Sequence, residues 1–179
     1  MSGAVLTGRT PLHVAAPTGE RWHVLHTRSR QEKVVAQMLG AAGIYHYLPL
    51  IQKVAYHGGR RRRVELPLFS SYVFLFGPLE AVYFAIESRR VVRSIAAPDQ
   101  GRLENELQQI RTALSGGAVL DPYPFLTRGR HVRVSSGPFR GLEGLVEERL
   151  KQDRLILQVN TLGQAASLEI DASLLEPVD

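Results

Sequence analysis

The side chains of this 179-residue chain best equipped for chemistry are arginines and aromatics. Arg60, Arg61, Arg62 and Arg63 form an unbroken run, Arg28 and Arg30 stand two apart, and Arg89 and Arg90 are adjacent. Guanidinium groups at that density bind polyanions, because each phosphate they neutralise releases counterions and gives a salt-dependent, sequence-tolerant affinity. The aromatics concentrate in Phe69-Ser70-Ser71-Tyr72-Val73-Phe74. If that segment is a strand, Tyr72 and Phe74 share one face and Val73 and Leu75 the other. Phe74 then suits a core as well as an interface, whereas the polar tip of Tyr72 suits an interface better. Catalytic groupings are missing by contrast. The six histidines, at 13, 23, 26, 46, 57 and 131, are scattered. His23 and His26 point to opposite faces of any strand that carries both. The sequence has neither a phosphate-binding Gly-x-x-x-x-Gly-Lys-Ser/Thr loop nor a Gly-x-Ser-x-Gly elbow. Glu147-Glu148 reads as a solvated turn. The absence of cysteine removes disulfides, thiolate metal sites and cysteine nucleophiles together. The expectation is a protein that binds rather than catalyses, with no cofactor and no metal.

The charge is divided along the chain. Residues 20–115 hold 14 Lys/Arg against 8 Asp/Glu, whereas residues 116–179 hold 7 against 9. A basic first part and a mildly acidic second part imply two modules with different partners. Residues 1–19 carry Arg9 as their one charged side chain and no continuous apolar region of signal-peptide type, so they read as a flexible leader. No apolar run approaches the roughly 20 residues that a membrane helix needs. The implied setting is the cytoplasm, without a membrane partner.

Local patterns place these residues on elements. Arg21 to His26 alternates like a half-buried strand. Ser29-Arg30-Gln31-Glu32 fits a capping box, followed by a helix through Val35 and Leu39 that Gly43 stops. Residues 44–50 read as a second strand, and Gly58-Gly59 as the turn of a hairpin whose return arm carries the four arginines. The segment 70–76 is the strongest strand, with a short helix to Ala85 after Pro78. A strand at 91–95 and a helix with Leu103, Leu107, Ile110 and Leu114 follow. The order implies an α+β fold, an αβ sandwich on a mostly antiparallel sheet. Residues 116–127, with Pro122 and Pro124, read as a stiff linker. Residues 128–179 contain short strands and glycine turns, as in a small β-barrel. Leu155 to Val159 favours that barrel over a helical hairpin.

Val132-Arg133-Val134, Ser136-Gly137-Pro138-Phe139-Arg140-Gly141 and Gly144-Leu145-Val146 together resemble the KOW motif of NusG-type transcription factors and some ribosomal proteins. Trp22-His23-Val24, the Gly58-Gly59 hairpin and Pro67-Leu68-Phe69-Ser70-Ser71-Tyr72-Val73-Phe74 resemble the amino-terminal (NGN) domain of the same family. The likeness spans residues 20–179, as an NGN domain (20–115), a linker (116–127) and an SH3-like KOW barrel (128–179). Pro67-Leu68-Phe69-x-x-Tyr72 is similar to the specialised RfaH-like antiterminators of the family. Ser70 and Ser71 depart from the proline and glycine that the housekeeping form carries there.

The resemblance implies a monomeric transcription elongation and antitermination factor. His26, Phe69, Tyr72 and Phe74 would bind the clamp helices of the largest RNA polymerase subunit, and Tyr83 and Phe84 its gate loop. Arg28, Arg30, Arg89 and Arg90 would face the non-template DNA strand, with Arg60, Arg61, Arg62 and Arg63 as a further nucleic-acid surface. In the KOW module, Phe139, Leu142, Thr161 and Leu162 would dock a small-subunit ribosomal protein or the termination factor Rho. The alternative is a KOW-containing ribosomal or general RNA-binding protein. It requires the basic surface to lie on the barrel, against the division of charge.

Overall fold

The computed structural model describes residues 19–148 and 151–178. Apart from Gly19, the expected leader lies outside the described residues. The chain divides into two compact units, Met1–Gln100 and Gly101–Asp179.

In the first unit, strand β1 (Arg21–Thr27) is followed by helix α1 (Glu32–Ala41), then β2 (His46–Tyr47), β3 (Leu50–His57), β4 (Arg60–Pro67), β5 (Tyr72–Gly77), α2 (Leu79–Glu87) and β6 (Val91–Ala96). Four strands make one antiparallel sheet in the order β2-β5-β1-β6, and β3 and β4 form a separate two-stranded sheet. Leu25, Val73 and Leu75 share a core cluster with Val35, Ala36 and Leu39 of α1 and with Ala81, Val82 and Ala85 of α2. Each large aliphatic side chain buried there contributes about 1.5–3 kcal/mol, and their common face fixes both helices on the sheet. His23 is buried on β1, and burial, reinforced by the nearby Arg21 charge, lowers its pKa against the opposing effect of a backbone hydrogen bond at Gly77.

The end of α1 follows its sequence closely. Gly43 takes φ +71°, the Gly43 amide donates to the Gly40 carbonyl at 3.0 Å, and Ile44 donates to Leu39 at 2.9 Å. These two bonds are the Schellman arrangement that a left-handed glycine permits. The start of α1 differs from the expected capping box. Gln31 is the N-cap and makes no side-chain cap bond. The Glu32 carboxylate instead accepts from the Ser71 amide at 2.6 Å, because a left-handed turn at Arg30 shifts the helix start past Ser29. The expected strand at 44–50 is also cut short. Pro49 has no amide to donate to a ladder, and it separates the two-residue β2 from β3.

The second unit contains α3 (Gln100–Ser115), β7 (Asp121–Tyr123), β8 (Arg130–Val134), β9 (Glu143–Glu147), β10 (Asp153–Val159), β11 (Gln164–Ile170) and β12 (Leu175–Pro177). Its strands form one antiparallel sheet, β12-β8-β9-β10-β11-β7, the small β-rich module expected after the linker. The division between units falls at the start of α3. Part of the stretch read as linker is strand, because Asp121–Tyr123 pairs with Ser167–Ala165. Side chains of α3 bond to backbone near the strands. Gln109 accepts from the Glu143 amide at 2.6 Å and donates to its carbonyl at 2.9 Å, and Glu106 accepts from the Asn160 amide at 3.1 Å.

Two glycines between β8 and β10 do different work. Gly141 sits at φ +88° with nothing near the site of an added Cβ. Gly144 instead lies within β9 and has no left-handed backbone. A Cβ there would lie 2.4 Å from the Ile156 carbonyl oxygen of the neighbouring strand. Gly141→Ala should therefore cost the left-handed penalty of about 1–2 kcal/mol. Gly144→Ala should cost more, because backbone must move to admit the methyl group. Thermal and urea melts of the two variants check this ordering, and equal midpoints would contradict the close approach at Gly144.

Candidate nucleic-acid interface

The candidate surface is assembled where β1 ends. In an antiparallel sheet directly opposed residues share a face. His26 lies opposite Tyr72 on β5 and opposite Arg93 on β6, so Tyr72, His26 and Arg93 form one row across three strands. The Tyr72 and His26 rings stack at 5.2 Å between centroids with planes 23° apart. Both residues are half-buried and Arg93 is exposed. The β1–β6 register slips between His26 and Thr27. Such a bulge bends the strand and re-aims the residues beyond it.

The loops at this end are tied to one another. The Arg28 amide donates to the Arg90 carbonyl at 2.8 Å, and the Thr27 amide to the Ser71 carbonyl at 2.8 Å. The Arg90 guanidinium donates to the Gln31 side chain. The first and third arginine groups, sixty residues apart in sequence, thus become a single basic cluster beside the Tyr72–His26 stack. Arg28, Arg30, Arg89 and Arg93 make no ion pair with any described residue. In the second unit, by contrast, Arg130, Arg133 and Arg154 each face a glutamate within 4 Å.

Backbone strain marks the same place. The non-glycine residues at positive φ among those described are Arg30 (61°), Ser71 (69°) and Arg89 (58°). Each costs roughly 1–2 kcal/mol. Glu32 and Thr27 hold Ser71 from both sides through its amide and carbonyl. Strain retained by surrounding bonds is a feature of functional surfaces.

The expected site residues divide. Phe69 and Phe74 are 1% and 0% exposed and pack edge-to-face at 6.2 Å, so both are core rather than an offered surface. Leu142 is likewise core at 2% exposure, with its carbonyl accepting from the Val134 amide at 2.9 Å. Phe139 is half-buried, and its ring lies 3.0 Å from where a Cβ on Gly116 would stand. Thr161 and Leu162 are half-buried in a single 3-10 turn. On α2, Tyr83 and Phe84 are exposed and Val82 is buried. Leu79 and Ile86 are also exposed on α2, beside Glu80 and Glu87. Arg60, Arg61, Arg62 and Arg63 are all exposed on β4. Arg93, Gln31 and Ser71 were missed by sequence reasoning. Strand pairing brings in Arg93, and hydrogen bonds to Arg90 and Glu32 bring in Gln31 and Ser71; only Arg93 carried a hint, as a charge inside a strand-like segment.

The first unit thus carries a basic, strained sheet end beside a stacked aromatic pair, and the second is a small β-rich module. A sequence profile described as transcription termination factor NusG matches residues 20–113, and a KOW motif profile matches residues 128–159. Among similar proteins, one from Yersinia pestis called transcription termination/antitermination protein NusG is 30% identical over 179 residues, with 88% of this chain and 96% of the relative covered. Proteins of the same name from Escherichia coli K12 and Pseudomonas aeruginosa are 28% and 27% identical, with 96% and 99% of their lengths covered. The chain belongs to the NusG family.

Strain and charge can be separated at Arg89. Arg89→Gly and Arg89→Ala remove the same charge, but only glycine accepts the left-handed backbone freely. The glycine variant should be more stable than the alanine variant by roughly 1 kcal/mol. If Arg89 meets a phosphate, both should flatten the salt dependence of single-stranded DNA binding by about one phosphate's worth. Melts and anisotropy titrations measure the two effects, and equal stability would contradict the strain.

Proposed function

We propose that this protein is a transcription elongation and antitermination factor that rides on RNA polymerase. The observation that carries the reading is the Tyr72–His26–Arg93 row continuing into the Arg28, Arg30, Arg89 and Arg90 loops. An amphipathic aromatic stack suits a protein contact, and guanidiniums without a counter-charge beside it suit nucleic-acid phosphates. In this reading Tyr72 and His26 seat on the clamp helices of the largest subunit, with Phe69 and Phe74 supporting them from within. The basic loops meet the non-template DNA strand, and Tyr83 and Phe84 on α2 reach the gate loop. The KOW module engages a small-subunit ribosomal protein or Rho through Phe139, Thr161 and Leu162. The protein acts as a cytoplasmic monomer without catalysis. The names of its relatives, termination/antitermination proteins, support this role. The Pro67-Leu68-Phe69 sequence supports a specialised, RfaH-like member.

The competing reading, a general RNA-binding KOW protein, places the basic surface on the barrel. The barrel's arginines at 130, 133 and 154 are engaged with glutamates, which favours the polymerase reading. Tyr72→Ala in the full chain should weaken binding to RNA polymerase from the native host by about tenfold or more, as for an aromatic anchor. It should leave the melting midpoint within a few degrees, because Tyr72 is only half-buried. Unchanged affinity for polymerase would remove this face from the contact, and no binding by the wild-type chain would refute the function.

A further inference from the structure

We propose that the β3–β4 hairpin is a second, separate nucleic-acid site, built to grip double-stranded DNA by the phosphates along both walls of a groove. The inference rests on the nucleic-acid reading above and adds which form of nucleic acid this element takes.

The hairpin is an isolated two-stranded ribbon. Gly58 and Gly59 take φ +56° and +75°, and His57 pairs directly with Arg60. Two consecutive left-handed residues make a tight turn whose twist matches the strands, so the arginines begin at the tip. Arg61 lies opposite Tyr56 and Arg63 opposite Val54 on one face. Arg60 and Arg62, opposite His57 and Ala55, occupy the other face. All four arginines are exposed, and none has an ion pair or side-chain hydrogen bond among the described residues. The segment 53–63 contains no acidic residue. Four like charges along one strand repel one another in the free chain, and a polyanion relieves that repulsion.

The two-sided arrangement decides the partner. A single strand offers one line of phosphates and would engage one face. A duplex groove has a phosphate backbone on each wall. The two strands of a ribbon lie about 4.8 Å apart, and the major groove of B-DNA, about 12 Å wide, admits such a ribbon. With the ribbon in the groove, Arg61 and Arg63 meet one wall and Arg60 and Arg62 the other. Tyr56, 75% exposed, lies beside Arg61 and covers sugar rather than stacking on a base. Phosphate contacts position without reading sequence, so the grip applies to any duplex.

The test uses the full chain and fluorescence anisotropy on a labelled duplex of about 20 base pairs and on its single strand, between roughly 50 and 200 mM salt. R60Q/R62Q and R61Q/R63Q should each flatten the duplex slope of log affinity against log salt by about 1.8. Neither should alter the single-strand slope, and Tyr56→Ala should weaken single-strand binding no more than duplex binding. No duplex binding by the wild-type chain overturns the proposal. So does an unchanged duplex slope in either hairpin double variant, or a Tyr56→Ala loss greater on the single strand. Polymerase binding that depends on Tyr72 but not on the hairpin arginines keeps the two readings distinct. If that binding fails while the duplex slopes shift as expected, the polymerase reading falls and the hairpin site stands.

Discussion

The pairing of β1 with β5 on one side and β6 on the other is the constraint on which the basic surface depends. His26 comes between Tyr72 and Arg93 only because both ladders are in register at that residue. The slip one position later allows the Arg28 amide to reach the Arg90 carbonyl. A one-residue change of register in either ladder would turn Tyr72 or Arg93 to the opposite face. The register is strongly enforced, since Leu25, Val73 and Leu75 are buried without exposed area against both helices. The core that stabilises the domain therefore also sets the spacing of the surface.

That surface is kept in a costly state. Three non-glycine residues hold left-handed backbones at one end of the sheet, and several guanidiniums there lack a counter-charge. Neither feature stabilises the isolated chain. The bonds from Glu32 and Thr27 to Ser71, and from Arg28 to Arg90, offset the strain and keep the loops ordered. A preorganised basic loop loses less conformational entropy when a polyanion arrives. The second unit is organised differently, with Arg130, Arg133 and Arg154 paired to glutamates and α3 bonded to backbone at Glu143 and Asn160.

Much of this was readable from residue order. The hairpin at Gly58-Gly59, the stop at Gly43 and the alternation from Arg21 to His26 each follow from local chemistry. The parts that escaped depend on tertiary context. Alternation placed Tyr72 and Phe74 on one face but could not show that Phe69 and Phe74 are fully covered while Tyr72 remains half-open. Glu32 satisfied a capping pattern, yet its carboxylate had a better partner in Ser71, thirty-nine residues away. Gly144 was legible only as part of the KOW-like stretch, because the close approach of the Ile156 carbonyl depends on the neighbouring strand. Arg93 belongs to the surface through its register with His26, which no local pattern encodes.

The central claim is that the end of the sheet around Tyr72, His26 and the arginine loops is the face that meets the transcribing polymerase. Amide hydrogen exchange on the full chain, with and without a polymerase elongation complex, tests it directly. Protection is expected in the segments around 26–31, 70–73 and 89–93 together, because backbone bonds join them into one surface. Protection confined to other segments, with those three exchanging as in the free chain, would contradict the account.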